Sequence, residues 1–283
     1  MGLLDYFKPV ATWSTDQVRT FLKDQPDGSY NLVDVRQPGE YERGHLPGAQ
    51  LMPVKTLDER LSELAPDKLT ITYCAAGVRS RAAASVLNNA GFKEVYSMSG
   101  GINAWDGLVA EGELELGTAW FAPAAKAEEY LVLAWLLEDG ARQFYAELAR
   151  YFHEIPAGEF FQRLVTAEDA HKETLHNLYH GLSTRSSGDD FPASLLSEPV
   201  TETMLEGGLT LAEALAWLPG KTAQQALELA ISLEVNAYDR YQIMSRDAAD
   251  QEGRQAFERL AREEKTHLVR LSDELDRWLE HHK

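Results

Sequence analysis

Glu168-Asp169-Ala170-His171 and Glu264-Lys265-Thr266-His267 carry one Glu-x-x-His spacing at an offset of 96 positions, and that repetition decides how the second half of the chain is read. Working outward, the same offset joins Glu138 to Glu234 and Tyr145 to Tyr241, each tyrosine lying seven residues beyond the leading glutamate. Phe161, Arg163 and Leu164 reappear as Phe257, Arg259 and Leu260. Such self-similarity marks a duplicated structural unit. The repeated residues are also metal-ligand types. Glu plus Glu-x-x-His, twice, offers four carboxylates and two imidazoles, the set that a carboxylate-bridged pair of metal ions draws from four helices. With 8 histidines in 283 residues, coincidence is a poor explanation.

Helix geometry makes the reading stricter. A first helix is expected from after Pro123 to about His153, where Ile155-Pro156-Ala157-Gly158 breaks it, and a second to about Leu182. Glu138 lies 17 positions before Ile155 and Glu168 lies 13 after it, so an antiparallel hairpin sets them at about one depth. Around Asp250, Glu234 is 16 before and Glu264 is 14 after. Four carboxylates therefore fall in one layer, with His171 and His267 beside them on the same helix faces. Residues 183–221 are too long for a hairpin turn. They open with an exposed-loop composition, Ser183 to Asp190, and Thr210 with Glu213 forms a capping box for a short helix ending at Pro219-Gly220. Helices at about 222–249 and 251–282 complete a four-helix bundle with one long crossover.

With those residues in view, 124–283 resembles the ferritin-like di-iron superfamily, nearest to rubrerythrins. The resemblance implies two iron ions held by Glu138, Glu168, His171, Glu234, Glu264 and His267, with Glu168 and Glu264 bridging. Manganese suits the same ligands. The family's further glutamate, one turn after the third-helix ligand, is replaced here by Ala237. Its four-cysteine module cannot be present in a chain with 1 cysteine. Tyr145 and Tyr241 either hydrogen-bond ligand carboxylates or are core aromatics with satisfied hydroxyls, and both readings stay open.

The sole cysteine points to a second chemistry. Cys74 follows Leu69-Thr70-Ile71-Thr72-Tyr73, a buried-strand pattern, and precedes Ala75-Ala76-Gly77-Val78-Arg79-Ser80-Arg81 and an alanine-rich helix. Strand, small-residue loop and helix together aim backbone N–H groups at an anion, and a thiol there is acidified. An inert buried cysteine is the alternative. Upstream stand Asp34-Val35-Arg36 and Gly44-His45-Leu46-Pro47-Gly48-Ala49, and downstream Gly100-Gly101-Ile102-Asn103-Ala104-Trp105. This order closely resembles the rhodanese domain, over about residues 8–108. The resemblance implies a doubly wound, parallel-sheet α/β fold and a cysteine that accepts sulfane sulfur as a persulfide. Cys74 and Arg79 are the expected catalytic residues, and Ala75, Ala76, Gly77, Val78, Arg79 and Ser80 the expected substrate loop. His45 is expected to be a structural hydrogen-bonding residue. Alanines at 75 and 76 leave out a basic residue common in thiosulfate-using members.

The expected fold class is thus multidomain: an α/β rhodanese domain at 1–108, a linker at 109–123 and an all-α ferritin-like bundle at 124–283. Two domains suit 283 residues. A net charge of −18 argues against nucleic acid and anionic membranes as partners. No apolar run is long enough to span a bilayer, and Met1–Phe7 lacks the apolar stretch of a secretory signal, so a cytoplasmic location is expected. Expected partners are a small sulfane-sulfur donor, a thiol acceptor, a separate electron-donor protein and a second copy in a homodimer. The combined reading is a sulfurtransferase joined to a di-iron site that reacts with oxygen or peroxide. An iron-storing or iron-sensing bundle with a sulfur-carrier docking module is the alternative.

Overall fold

A computed structural model describes residues 10–112, 127–182, 191–192, 202–248 and 251–281. The chain divides into two compact units, Met1–Glu113 and Leu114–Lys283.

In the first unit, five strands pair in parallel in the order β1-β5-β4-β2-β3: β1 Ala11–Trp13, β2 Asn31–Asp34, β3 Gln50–Leu51, β4 Thr70–Tyr73 and β5 Val95–Met98. Three helices accompany them, α1 Thr15–Asp24, α2 Pro38–Tyr41 and α3 Val78–Asn89. Successive strand side chains alternate between two cores, because Cβ atoms point to opposite faces. Leu32, Ile71 and Tyr73 pack with Val18 of α1 on one side. Val33, Cys74 and Val95 pack with Ala83, Ala84 and Leu87 of α3 on the other. Helices on both faces of a parallel sheet make the doubly wound arrangement expected from the sequence.

The Asp34-Val35-Arg36 and Gly44–Ala49 stretches are framework. Arg36 closes on Asp34 through Nε and Nη2, and Nη2 also donates to the Gly44 carbonyl at 2.7 Å. The His45 ring stacks on Tyr41 with centroids 3.5 Å apart, and its Nδ1 lies 2.9 Å from the Tyr41 carbonyl oxygen. His45 is thus structural, as its motif implies. Its backbone also exchanges two 2.9 Å hydrogen bonds with Ala110. Gly112 N–H donates to Glu42 O at 2.8 Å. These bonds carry the first unit past Leu108, so residues 109–112 are folded with it rather than serving as linker. The rest of the expected linker, and residues 124–126 of the expected bundle, lie outside the described residues.

Among the described residues, the second unit has four long helices, α4 Ala127–Tyr151, α5 Pro156–Leu182, α7 Ala223–Asp247 and α8 Gln251–His281, with a short α6 at Leu211–Trp217. Helices α4 and α5 form one antiparallel hairpin and α7 and α8 the other, and α5 against α8 and α4 against α7 close the bundle. Pro156 opens α5, where a missing N–H costs nothing. Thr210–Glu213 caps α6, as expected, and Thr222–Gln225 caps α7 in the same way. Phe144, Phe161, Leu227 and Leu271 are among the fully buried side chains of the core.

The crossover is laid directly on α4. At Gly140 an added Cβ would collide with the carbonyl oxygen of Met204. Alanine is worth about 1 kcal/mol more than glycine inside a helix, but forcing atoms into a filled contact costs about 1–3 kcal/mol. Gly140→Ala is therefore expected to lower the bundle's melting temperature by a few degrees in thermal unfolding, against helix propensity. An unchanged or raised melting temperature would show that the crossover yields freely.

Candidate functional site

The two hairpins bring all six repeated residues to one layer. Glu138 of α4, Glu168 and His171 of α5, Glu234 of α7, and Glu264 and His267 of α8 are each at most 6% exposed, so the layer is closed to bulk water. His171 Nδ1 lies 3.4 Å from Glu138 Oε2, 3.3 Å from Glu168 Oε2 and 3.0 Å from Glu264 Oε1. His267 Nδ1 lies 3.4 Å from Glu234 Oε2 and 3.1 Å from Glu264 Oε2. The two rings are 5.2 Å apart. Ligand-capable atoms converge in overlapping groups, Glu138, Glu168, His171 and Glu264 in one and Glu168, Glu234 and His267 in another. Glu168 is common to both, and Glu264 also converges with His171 and His267.

The tyrosine question is settled by the contacts. Tyr145 on α4 donates to Glu234 Oε1 on α7 at 2.8 Å, and Tyr241 on α7 donates to Glu138 Oε1 on α4. The offset of 96 maps one bond onto the other, so the duplication appears as a pseudo-twofold relation between the hairpins. Both hydroxyls orient a carboxylate that sits in the metal layer.

Electrostatics sharpen the picture. Burial, with the Glu138 and Glu234 carboxylates close by, pushes Glu168 well above the usual carboxylate range. Burial, and the Glu234 carboxylate, raise Glu264 to about 8 even though His171 pulls it down. Burial works against Glu234 too, but its hydrogen bonds with Glu264, His267 and Tyr145 bring it down to about 2. His267 is raised to about 10, its glutamate neighbours outweighing burial. Among the described residues, Glu168 Oε2 and Glu264 Oε1 are buried and accept no aligned hydrogen bond, although His171 Nδ1 lies 3.3 and 3.0 Å from them. Two orphaned oxygens, both on Glu-x-x-His glutamates, fit a donor set built for two divalent cations, whose four positive charges match the four carboxylates.

Glu263, unread from the sequence, places Oε2 3.2 Å from His171 Nε2. A metal-binding imidazole commonly gives its other N–H to a carboxylate. Only the position of Glu263 beside Glu264 hinted at this, and its counterpart at the repeat offset is Ala167.

In the first unit the Cys74 sulfur is buried at the end of β4, where α3 begins. Gly77 N–H donates to Sγ at 3.1 Å, and Ser80 Oγ is 3.7 Å away. Burial raises the thiol's pKa. Hydrogen bonds from the backbone and hydroxyl of Ser80, and from the backbone of Ala76 and Gly77, outweigh it and leave the pKa below the ordinary thiol value. Ser80 Oγ is itself held 2.8 Å from Ser97 Oγ on β5, a contact the sequence did not disclose. Ile102 N–H and Asn103 N–H hold the carbonyls of Cys74 and Ala75 at 2.8 and 3.0 Å. Ala75 faces a surface cavity shared with Arg36, Arg43 and Asn103. Val78 is 74% exposed, so it contributes backbone and not a wall. Arg79 forks onto Glu40 with two 2.7 Å bonds, and this pairing holds the Glu40 carboxyl down to about 2. Arg79 therefore reaches the sulfur with its charge already countered.

Comparison with known proteins finds a family match in each unit. Residues 16–108 match the Rhodanese-like domain family. Thiosulfate sulfurtransferase GlpE of Pseudoalteromonas translucida is 36% identical over 80 residues, 28% of this chain and 76% of that protein. The chain belongs to the rhodanese-like family. A sulfurtransferase of Allochromatium vinosum is 38% identical over 74 residues, 26% of this chain and 69% of that protein. YqhL of Bacillus subtilis is 41% identical over 78 residues, 28% of this chain, and the match spans 62% of YqhL. Residues 225–280 match the Rubrerythrin family. The chain thus joins a rhodanese-like domain to a helical unit whose residues 225–280 match the Rubrerythrin family, and the internal repeat places the same Glu and Glu-x-x-His pattern on the α4–α5 hairpin. Among the described residues, no helix is long and apolar enough to cross a membrane.

The sulfur geometry yields a prediction. Ser80→Ala removes one of the groups that stabilise the thiolate, so the Cys74 pKa should rise and less thiolate should be present at neutral pH. Iodoacetamide alkylation, followed against pH, is expected to slow near pH 7 and to shift its midpoint upward. An unchanged profile would mean that the backbone N–H groups alone set the acidity.

Proposed function

We propose that the chain is a sulfurtransferase working through a Cys74 persulfide, joined to a di-iron centre that reacts with oxygen or peroxide. The observation that carries the first part is the acidified Cys74 sulfur facing backbone N–H groups at the start of α3. The thiolate attacks the outer sulfur of a persulfide or polysulfide donor. A Cys74 S–S bond forms, the donor's S–S bond breaks, and the electron pair leaves with the donor thiolate. An acceptor thiolate then attacks the outer sulfur, takes it, and releases Cys74 as thiolate. Because Glu40 counters Arg79, the loop offers dipoles more than net charge, which favours such donors over the thiosulfate dianion.

For the second unit, the six converging ligands and the two orphaned carboxylate oxygens support a resident pair of metal ions. Iron bound there would exchange electrons with oxygen or peroxide. The residues that would hold the ions are Glu138, Glu168, His171, Glu234, Glu264 and His267, and their burial would keep bulk water out of the layer. Tyr145 and Tyr241 fix two of the carboxylates. With 1 cysteine in the chain, the electrons come from a separate protein, from small thiols or from the persulfide.

Cys74→Ser should abolish sulfur transfer to cyanide or a thiol, by at least ~100-fold, and leave metal content unchanged. Equal turnover would remove Cys74 from the reaction, since no second cysteine can replace it. In the bundle, Glu168→Ala or Glu264→Ala should lower metal content at both positions, whereas His171→Ala or His267→Ala should weaken mainly one. Elemental analysis per chain measures this, and a full two-metal complement in all four variants would put the site elsewhere.

A further inference from the structure

One wall of the metal cavity carries a carboxylate that no long helix supplies. The cavity is lined by Glu138, Glu168, Glu234 and Glu264, and also by Ala237 and Glu206. Ala237, one turn beyond Glu234 on α7, contributes only a methyl group. Glu206 belongs to the crossover, in a single 3-10 turn at Glu206–Gly208, yet is only 5% exposed.

The crossover is built to deliver this side chain. Leu205 N–H donates to Leu209 O at 2.7 Å, and Leu211 N–H to Thr203 O at 2.8 Å, closing a small loop with Glu206 at its tip. Leu205 is fully buried in the bundle core. Gly140 lets the loop lie on α4. Gly207, with φ +76, lets it lie on α7, where an added Cβ would stand 2.6 Å from Asn236 Nδ2. The loop thus rests on the two helices that carry Glu138 and Glu234. Arg240 of α7 grips Glu206 through Nε at 3.1 and 2.9 Å and Nη2 at 2.7 Å.

An anchor alone does not need this chemistry. Burying an ion pair is costly, and an apolar residue would fasten the loop as Leu205 already does. In the lining of the same cavity, Glu168 Oε2 and Glu264 Oε1 are buried and accept no aligned hydrogen bond. We propose that Glu206 is a further metal-binding carboxylate of this centre, supplied by the crossover to the cavity that Ala237 also lines and positioned by Arg240. The inference rests on the di-metal reading above. It also breaks the pseudo-twofold symmetry, because the position 96 residues before Glu206 is Ala110, in the other unit. The two metal positions are therefore unequal in affinity.

Anaerobic cobalt(II) titration of the full chain tests this, with calorimetry for affinity and the visible absorption bands for coordination. Glu206→Gln is one variant. Glu206→Gln with Arg240→Gln is the second, leaving no unpaired buried charge should the first fail to fold. The wild type should bind two ions in distinguishable steps. Both variants should lose at least tenfold in affinity at one position with altered visible bands, and adding Ala237→Glu should restore much of the loss. Variants that melt earlier without metal, yet bind two ions with the wild-type isotherm and spectrum, would make Glu206 a strut and overturn the inference alone. A wild type that takes up no cobalt would overturn the metal centre and this inference together.

Discussion

Four carboxylates at one depth in a helical bundle are the constraint around which the second unit is organised. Each would cost several kcal/mol to bury alone, and here all four are within a few per cent of full burial. Burial, reinforced by the neighbouring carboxylates, raises Glu168 and Glu264, while hydrogen bonds from the paired glutamates, the imidazoles and the tyrosines lower Glu138 and Glu234. Two divalent cations would resolve that conflict in one step. The crossed Tyr145–Glu234 and Tyr241–Glu138 bonds then have a plain purpose. They tie α4 to α7 at the metal layer and hold two carboxylates in a fixed direction whether or not an ion is bound.

The first unit solves a smaller electrostatic problem by different means. Its single thiol is stabilised by oriented N–H groups and a hydroxyl, with the Arg79 guanidinium paired to Glu40. The two sites therefore divide the labour between dipoles in one domain and ionic ligands in the other. A low-pKa thiol and its persulfide are vulnerable to oxidants, which gives a chemical reason for carrying both sites on one chain.

Much of this was legible in the residues because helices impose a fixed geometry on spacing. The offset of 96, with the distances of each glutamate from its turn, was enough to put four carboxylates in one layer. The Cys74 loop was legible because strand, small residues and helix occur in sequence order. What escaped shares a different trait. Glu206, Arg240, Glu40 and Ser97 act through contacts between residues far apart in the chain, with no repeat or local pattern to flag them. Glu206 in particular sits in the crossover, which the duplication does not include. The folded stretch 109–112 escaped because its reason is the backbone pairing of Ala110 with His45, invisible in composition.

The central claim is that these six side chains hold two metal ions. Anomalous diffraction at the iron absorption edge, from crystals of the full chain loaded with ferrous iron, tests it most directly. The account predicts two anomalous peaks per chain within the layer formed by Glu138, Glu168, His171, Glu234, Glu264 and His267, both within bonding distance of Glu168 and Glu264. A single peak, peaks outside that layer, or none after loading would contradict it.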